Sequence, residues 1–327
     1  MNTKPTFNWG IIGLGKIARK FALGMQVVPD ANLYAVGSRN DEKAAAIAKE
    51  WGADRAYGNY KALVNDPEVQ AVYIATPHPF HMEHTVMALE AGKAVLCEKP
   101  FAMNTAEVKQ MVEIAQGNQV FLMEGMWTRF HPKTHKLLEW VNSGEIGEVK
   151  FLRADFGFRT AYNEDSRLFN KKLGGGSLLD IGVYPVFFAH LLFGKPIEIQ
   201  AMGHLAPTGV DESCMVNLKY ENGCMAQLFS NFVANSNIEA ELFGTGGILK
   251  INRLLQRPGS LSIYRREIHD RDITFDEPAN GMNHQIEEAQ NCLAKGLLES
   301  PLMTHQFSLD VMATMDEILR QMGVQYG

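Results

Sequence analysis

The segment that most constrains the fold is a G-x-G-x-x-A pattern, Gly13–Ala18, which directly follows the apolar run Phe7–Gly13. In such a pattern the first glycine permits a tight turn, the second lets the backbone approach a pyrophosphate, and the final small residue lets a helix pack on the strand. The free N–H groups at the start of that helix attract an anion. A strand before and a helix after favour a dinucleotide site over a purely structural glycine turn. Its predicted contacts are Gly13, Gly15, Lys16 and Ile17.

The first third of the chain alternates short apolar runs with helical patterns. Further strands are predicted at Asn32–Gly37, Ala71–Ala75, Ala94–Glu98 and Val120–Glu124, and helices at Lys16–Val27, Asp41–Trp51, His81–Ala91 and Thr105–Gln116, with Asp41 and Thr105 as N-caps. Runs that are apolar throughout are typical of parallel strands covered on both faces, and strand–helix repetition implies right-handed crossovers. We therefore predict a doubly wound, Rossmann-type α/β domain over residues 1–125.

The pattern changes after Gly125. Predicted elements are the helices Pro132–Ser143, Ser177–Phe193, Met282–Lys295 and Ser308–Met322, and the strands Glu148–Phe158, Glu198–Leu205, Cys214–Tyr220, Cys224–Phe232, Ile238–Phe243, Ile248–Asn252 and Ser260–Arg265. The strands are separated by turn residues, and the glycine-rich turn at 244–247 indicates a hairpin. We predict an α+β domain with a large, mostly antiparallel sheet over residues 126–327.

Charge and composition exclude several classes of partner. The chain has 31 Lys and Arg against 37 Asp and Glu, a net charge of −6 without a basic run, so we expect no nucleic-acid partner. No uninterrupted apolar stretch approaches about 20 residues, so we expect no membrane span. The segment Met1–Pro5 leads into a strand without a signal-peptide core. Four widely spaced cysteines are typical of free thiols, so we expect a cytoplasmic protein.

The end of the second predicted strand bears on the choice of cofactor. An acidic residue there would bind the ribose 2′-OH of NAD, but this chain has Ser38 and Arg39. A hydroxyl followed by a guanidinium suits the 2′-phosphate of NADP. The alternative is that Arg39 is only an exposed arginine before a helix, and Asp41 lies close enough to keep NAD open. The pattern favours NADP.

Two segments carry side chains suited to chemistry. Lys99, beside Glu98 at the end of the fifth strand, is expected to face the nicotinamide half of the cofactor, because ligands bind at the carboxyl ends of parallel strands. The alternative is a surface lysine paired with Glu98. Asp180 and Tyr184 are four residues apart, which places them on one helix face. Pro185 predicts an irregular helix there.

A structural interpretation of the second segment also stands. Ser177 would then be the N-cap of the helix, Asp180 would support the cap, and Tyr184 would belong to the core. Local sequence does not separate this interpretation from a catalytic one. Two arginines near the glycine cluster, Arg159 and Arg167, either face the substrate or are surface charges.

Taken together, the chain resembles the Gfo/Idh/MocA oxidoreductases over essentially its whole length. The matching segments are Gly13–Ala18, Ala75–His81, Glu98–Pro100 and Gly174–Tyr184. Within the family it is most similar to the dimeric dihydrodiol dehydrogenases and the NADP-dependent D-xylose dehydrogenases, through Ser38-Arg39, Gly125–Phe130 and Tyr184. Two departures are His78, where relatives often have asparagine, and Tyr184, where inositol dehydrogenases have histidine.

The resemblance implies hydride transfer between NADP and a hydroxyl-bearing carbon of a sugar or cyclic diol. Tyr184 would remove the hydroxyl proton, and the Lys99 ammonium would favour its phenolate. Asp180 would orient Lys99 and the sugar hydroxyls. Further contacts implied are Thr76, His81, Glu98 and Lys99 for the cofactor and Trp127 and Phe158 for the substrate. For Trp127, core packing is the alternative.

Two other functions remain as alternatives. A non-catalytic NADP-binding sensor is disfavoured because such relatives tend to lose the lysine or the acid/base residue, and this chain keeps both. An NAD-dependent polyol or inositol dehydrogenase is disfavoured by Ser38-Arg39 and Tyr184. The histidines at 78, 81 and 84 lack the glutamate motif of a zinc enzyme, so we expect no metal.

The segment Cys224–Phe229 is apolar at both alternating positions in places, which is unusual for a sheet with one solvent face. We therefore predict a homodimer through the C-terminal sheet, and the resemblance implies the same.

Overall fold

The computed structural model describes residues 6–266 and 268–326, so Met1–Pro5, where we expect no signal peptide, lie outside the described residues. The chain divides into two compact units. One comprises the described residues up to Ala102 together with Ala106–Phe130 and Glu277–Ser308. The other comprises Met103–Thr105, His131–Asp276 and the chain from Leu309 onward.

The first unit contains a six-stranded parallel sheet. Its strands are β1 Phe7–Ile12, β2 Ala31–Gly37, β3 Arg55–Tyr57, β4 Ala71–Ile74, β5 Ala94–Glu98 and β6 Leu122–Gly125. They are ordered β3-β2-β1-β4-β5-β6, and every pairing is parallel. The order reverses between β1 and β4, which confirms the doubly wound Rossmann-type prediction. The short, half-exposed β3 lacks the apolar signal by which the other strands were predicted.

Helices cover the strands of this unit. They are α1 Lys16–Met25, α2 Asp41–Trp51, α3 Tyr60–Val64, α4 His81–Glu90 and α5 Thr105–Asn118. The N-cap prediction for Asp41 is wrong, because Asn40 is the cap and its side-chain oxygen accepts from the Lys43 N–H at 2.7 Å. Thr105 is the first residue of α5, and its hydroxyl and N–H both donate to Asp316.

The second unit is built on an eight-stranded mixed sheet. Its strands are β7 Val149–Gly157, β8 Glu198–Leu205, β9 Asp211–Lys219, β10 Met225–Asn231, β11 Ala240–Gly244, β12 Gly247–Ile251, β13 Ser260–Arg265 and β14 Ile268–Thr274. They are ordered β14-β13-β12-β11-β7-β10-β9-β8. Among the described strands of this sheet, only β7 and β10 pair in parallel, which confirms a mostly antiparallel sheet. The 244–247 turn closes the predicted hairpin between β11 and β12.

This unit also contains two helices: α6 Pro132–Asn142, which precedes β7, and α7 Val183–Phe193, which lies between β7 and β8. A π-helical turn, Leu178–Gly182, leads into α7, and the Val183 N–H reaches back to the Leu178 carbonyl. This confirms that the helix is irregular, as Pro185 predicted, although the irregular turn lies about one turn before Pro185. By length and composition the helical segment Lys171–Phe193 could cross a membrane, but 83% of its apolar window is buried, as in the core helix of a globular domain.

The last helices are α8 Asn283–Ala294 and α9 His305–Met322. Residues 277–308 belong to the first unit, although the sequence pattern assigns them to residues 126–327. The Asn280 side chain donates to the Lys20 carbonyl at 2.8 Å, and α8 packs on α1. A domain boundary placed at a change in the sequence pattern shows where the chain leaves the first unit. It does not show that residues 277–308 come back to that unit.

Candidate active site

In the first unit, predicted cofactor residues and the predicted substrate residue Trp127 lie at one edge of the parallel sheet. Gly13, Ser38, Thr76, Lys99 and Trp127 each follow the carboxyl end of a strand: β1, β2, β4, β5 and β6 respectively. Ligands of doubly wound sheets bind at this edge, where the strand order reverses. Gly13 has φ +90°, and a Cβ there would lie 2.6 Å from the Thr76 nitrogen, so only glycine fits between the ends of β1 and β4.

The start of α1 has the properties of a pyrophosphate cradle. A Cβ at Gly15 would meet no heavy atom within 4 Å, so the space above this turn is open. No side chain caps the helix, and its first residues, Lys16 and Ile17, leave their N–H groups available to an anion. The residues present therefore fit a dinucleotide.

Around Arg39 the structure adds two residues that the sequence did not indicate. Ser38 is buried, and Arg39 is exposed at the end of β2. Burial lowers the pKa of His84, and the charge of Arg39 lowers it further. Burial raises the pKa of Tyr60, and Arg39 opposes that rise. The Tyr60 and His84 rings contact edge to face at 4.8 Å, and Thr76 Oγ1 lies 3.0 Å from His84 Nδ1.

His81 joins two loops of the sheet edge. Its ring nitrogens lie 2.8 Å from the Thr76 carbonyl and 2.8 Å from the Pro100 carbonyl, and the side chain is fully buried. Burial lowers the pKa of His81 to about 4, against the opposing effect of the two carbonyls. Both ring nitrogens face carbonyl oxygens, so His81 lies between the loop after β4 and the turn after Lys99 and contacts both.

Beneath the Lys99 turn, Glu98 has an aromatic partner. Lys99 is half-buried, and Glu98 is buried and accepts a hydrogen bond from the Tyr73 hydroxyl. Tyr73 stacks on Phe21 with ring centroids 3.7 Å apart. Burial raises the pKa of Glu98, while the Tyr73 hydrogen bond and the Lys99 charge act in the opposite direction. The turn that carries Lys99 therefore adjoins a buried carboxylate, Glu98, whose position is fixed by the hydrogen bond from Tyr73.

A second buried carboxylate, Glu124, lies on the neighbouring strand β6. Ser308 Oγ donates to it at 2.6 Å, and the backbone N–H of Phe101 also donates to it. Burial raises the pKa of Glu124 to about 7, and the nearby Glu98 charge adds to the rise. A single carboxylate closing the apolar run Val120–Glu124 was the available sequence signal for this group.

The substitution Glu124→Gln tests how much the buried Glu124 charge lowers the free energy of unfolding. The folded protein holds the Glu124 proton to a higher pH than the unfolded chain does, so this group's contribution to stability falls as pH rises from about 4.5 to about 7. We expect the variant to match wild type near pH 4.5 and to exceed it at pH 8, by on the order of 1–3 kcal/mol. Calorimetric melting across this range is the measurement, and exposed Glu113→Gln is the control. A constant difference at every pH would contradict the assignment.

In the second unit, Asp180 and Tyr184 lie on the same irregular helix, and both are buried, at 8% and 6% exposure. Arg167 binds Asp180 through both guanidinium NH2 groups, with Nη1 2.8 Å from Oδ1 and Nη2 3.3 Å from Oδ2. Burial lowers the pKa of Arg167, and the Asp180 charge outweighs that effect and raises it. The Tyr184 ring lies 5.7 Å from the Phe156 ring. Arg167, which the sequence left open, is therefore a partner of Asp180.

The start of this helix is held by Asp211, not by Ser177. Asp211 accepts from the Leu178 N–H at 2.7 Å and from the Ser177 hydroxyl at 2.8 Å. Ser177 makes no cap hydrogen bond, so the interpretation of Ser177 as N-cap is wrong. Burial raises the pKa of Asp211 to about 6, although both of these hydrogen bonds lower it. Position 211 is 33 residues from Leu178, too far for a local capping pattern to reveal.

The two predicted substrate residues belong to different units. Trp127 is buried in a 3-10 turn, Trp127–Phe130, after β6 of the first unit. Phe158 is half-buried after β7 of the second unit, with its ring 5.3 Å from that of Phe232. Their role toward a substrate stays a prediction. In the part of the chain that the structure describes, no group of three His, Cys, Asp or Glu side chains could hold a metal ion.

Comparison with known proteins places both halves of the chain. Residues 7–126 match the model of the GFO/IDH/MocA oxidoreductase family with NAD-binding Rossmann fold, and residues 134–250 match a GFO/IDH/MocA C-terminal domain. Trans-1,2-dihydrobenzene-1,2-diol dehydrogenase of Xenopus laevis is 38% identical, covering 97% of this chain and 98% of that protein.

Solved structures agree in fold. Aldose-aldose oxidoreductase from Caulobacter crescentus, complexed with glycerol, is 25% identical with a TM-score of 0.89, covering 97% of both chains. KijD10, a 3-ketoreductase from Actinomadura kijaniata in complex with NADP and TDP-benzene, is 27% identical with a TM-score of 0.86, covering 97% of this chain and 98% of that one.

Proposed function

Because the chain belongs to the GFO/IDH/MocA oxidoreductase family, an enzyme family with an NAD(P)-binding Rossmann fold, we propose that it transfers a hydride between NADP and a hydroxyl-bearing carbon of a sugar or cyclic diol. The observation that carries the proposal is the chain's own set of groups: Lys99 after β5, and Asp180 and Tyr184 buried on one helix. The dihydrodiol dehydrogenase and aldose oxidoreductase relatives support the two substrate classes.

Each side chain has a chemical role in this proposal. The Tyr184 oxygen binds the substrate hydroxyl and, as phenolate, takes its proton when the alcohol is oxidised. The positive charge of the Lys99 ammonium favours the phenolate that this step requires. The nicotinamide, when bound, accepts or returns the hydride. Trp127 and Phe158 supply apolar surface to a ring substrate.

A substrate screen tests the function. Aldoses, polyols and cyclic diols are incubated with NADP+, and nicotinamide reduction is followed by absorbance, with Tyr184→Phe as the control. We expect turnover of an aldose or a cyclic diol that the variant loses. Nucleotide binding without turnover of any of these alcohols would instead favour the NADP-binding sensor.

For the cofactor, we expect NADP+ to raise the melting temperature more than NAD+ at equal concentration, because the ligand that binds the folded state more tightly stabilises it more. Arg39 is exposed at the end of β2, where it can meet a 2′-phosphate without first losing a protein partner. Arg39→Ala should bring the two shifts together, whereas Arg19→Ala, an exposed arginine on α1, should not. Equal or reversed shifts in wild type would overturn the NADP preference.

We further propose a homodimer through the outer face of the second sheet. This face exposes large apolar side chains on four neighbouring strands: Phe151, Met202, Met215 and Met225. Contiguous apolar patches of this kind mark protein interfaces. Light scattering at micromolar concentration should give twice the 36.5 kDa chain mass, and Met215→Glu should reduce it to one. A monomeric wild type would contradict the proposal.

A cytoplasmic location is also proposed. All four cysteines are buried and free, which suits a reducing compartment.

A further inference from the structure

We propose that Arg167 is a positioning residue for proton transfer at Tyr184, because it fixes the Asp180 carboxylate and offsets its negative charge beside the phenol. The inference deepens the proposed function and rests on Tyr184 being its acid/base group. Nothing in the sequence pairs positions 167 and 180, which become neighbours only when the loop before the glycine cluster folds back on the helix.

The contact is of the kind that fixes a side chain. The two N–O distances, 2.8 and 3.3 Å, join two guanidinium nitrogens to two carboxylate oxygens, a geometry that lysine does not reproduce. Asp180 is buried, so loss of Arg167 would remove a counter-ion that its charge has in place of water. Arg167 itself is partly exposed, with 46% of its side chain accessible, so the pair lies at the border between core and solvent.

Asp180 acts on Tyr184 through its position on the helix. Residues four apart lie about one turn from each other in either an α-helix or a π-turn, so the carboxylate stays on the face that carries the phenol. A negative charge at that separation disfavours phenolate, which is the form that accepts the substrate proton. The guanidinium is permanently charged, so it offsets this effect at every pH at which the enzyme works.

Other titratable groups packed around this helix occupy different positions. Asp211 on β9 is bound at the helix start to Ser177 and Leu178, and Tyr326 donates to the Gly175 carbonyl there. Cys214, also on β9, is buried, and burial raises its pKa. His190 lies further along α7 against Thr314, and Asp155 on β7 belongs to the opposite sheet face, where it accepts from the Ile238 N–H. Arg167, by contrast, binds Asp180 directly.

The experiment compares the pH dependence of kcat/KM in Arg167→Gln, Asp180→Asn and the double variant. We expect Arg167→Gln to move the acidic limb upward by about one pH unit and to lower kcat/KM roughly 10-fold near pH 7, with recovery at high pH. In the Asp180→Asn background, the same change should have little further effect, because the charge it offsets is gone. Arg167→Lys should fall between wild type and Arg167→Gln. Arg320→Gln, which removes an exposed arginine of the same unit that pairs with Glu317, is the matched control.

Two results would overturn the proposal. One is an equal loss at every pH with an unmoved limb, which indicates a purely structural role. The other is an undiminished loss in the Asp180→Asn background. Melting temperatures of all variants identify any that fail to fold, and Arg167→Lys then supplies the comparison.

A readout without turnover separates this proposal from the proposed function. The ultraviolet difference between wild type and Tyr184→Phe reports ionisation of that one phenol. The corresponding difference between Arg167→Gln and the double variant Arg167→Gln, Tyr184→Phe should appear at higher pH. An unchanged midpoint would sink the Arg167 proposal even if the enzyme is active, whereas a shifted midpoint in a protein that oxidises no alcohol would remove only the proposed function.

Discussion

Replacing Tyr184 by phenylalanine is expected to lower kcat by about 10²–10⁴, the usual contribution of a positioned general acid or base. The variant keeps the ring that packs on Phe156 and removes only the oxygen. The loss should therefore fall on kcat, while the melting temperature and the NADP+-induced stabilisation stay near wild type. Steady-state kinetics with the alcohol found in the screen, together with thermal-shift titration, are the measurements.

Tyr162→Phe is the matched control, because Tyr162 is an exposed tyrosine of the same unit whose ring contacts Phe169. It should leave kcat unchanged. A Tyr184→Phe enzyme with a rate close to wild type would take this hydroxyl out of the reaction and return Tyr184 to a packing role in the core.

Lys99→Ala carries the second large effect, a decrease in kcat of roughly 10–10³ with the acidic limb of the pH–rate profile moved to higher pH. The ammonium favours phenolate at the general base, so without it more alkaline solution is needed to reach the active form. Lys99→Arg, which keeps the positive charge, should shift the limb less than Lys99→Ala. Profiles of kcat from pH 5 to 10 provide the test.

The control for this series is Lys109→Ala, an exposed lysine on α5 that forms a surface ion pair with Glu113. It should change neither rate nor limb. A Lys99→Ala enzyme that is slow at every pH but keeps the wild-type limb would mean that Lys99 binds substrate or cofactor and does not tune the base.

The cofactor edge could be predicted from the sequence because its information is local. Gly13, Ser38 and Lys99 each follow an apolar run, and topology brings the ends of parallel strands to one edge. Tyr184 and Asp180 were placed on one helix by spacing, and Pro185 gave the irregularity. In each case the sequence of one short segment is enough to predict where its side chains lie.

What the sequence did not predict depends on contacts between distant segments. Arg167 meets Asp180 across a loop, Asp211 holds a helix start from another strand, and Ser308 reaches Glu124 from a helix 184 residues away. Such partners have no periodicity to connect them. The position of α8 in the first unit was not predicted for the same reason. Its amphipathic pattern indicates that one face is buried, but it does not indicate which element covers that face.

The His81 ring makes two loops of the parallel sheet into one mechanical part. Thr76 lies against the glycine turn at one side of this ring, and Pro100 follows Lys99 at the other. Loss of the His81 ring would therefore remove a contact from both loops at once, so we expect the glycine turn and the lysine turn to loosen together.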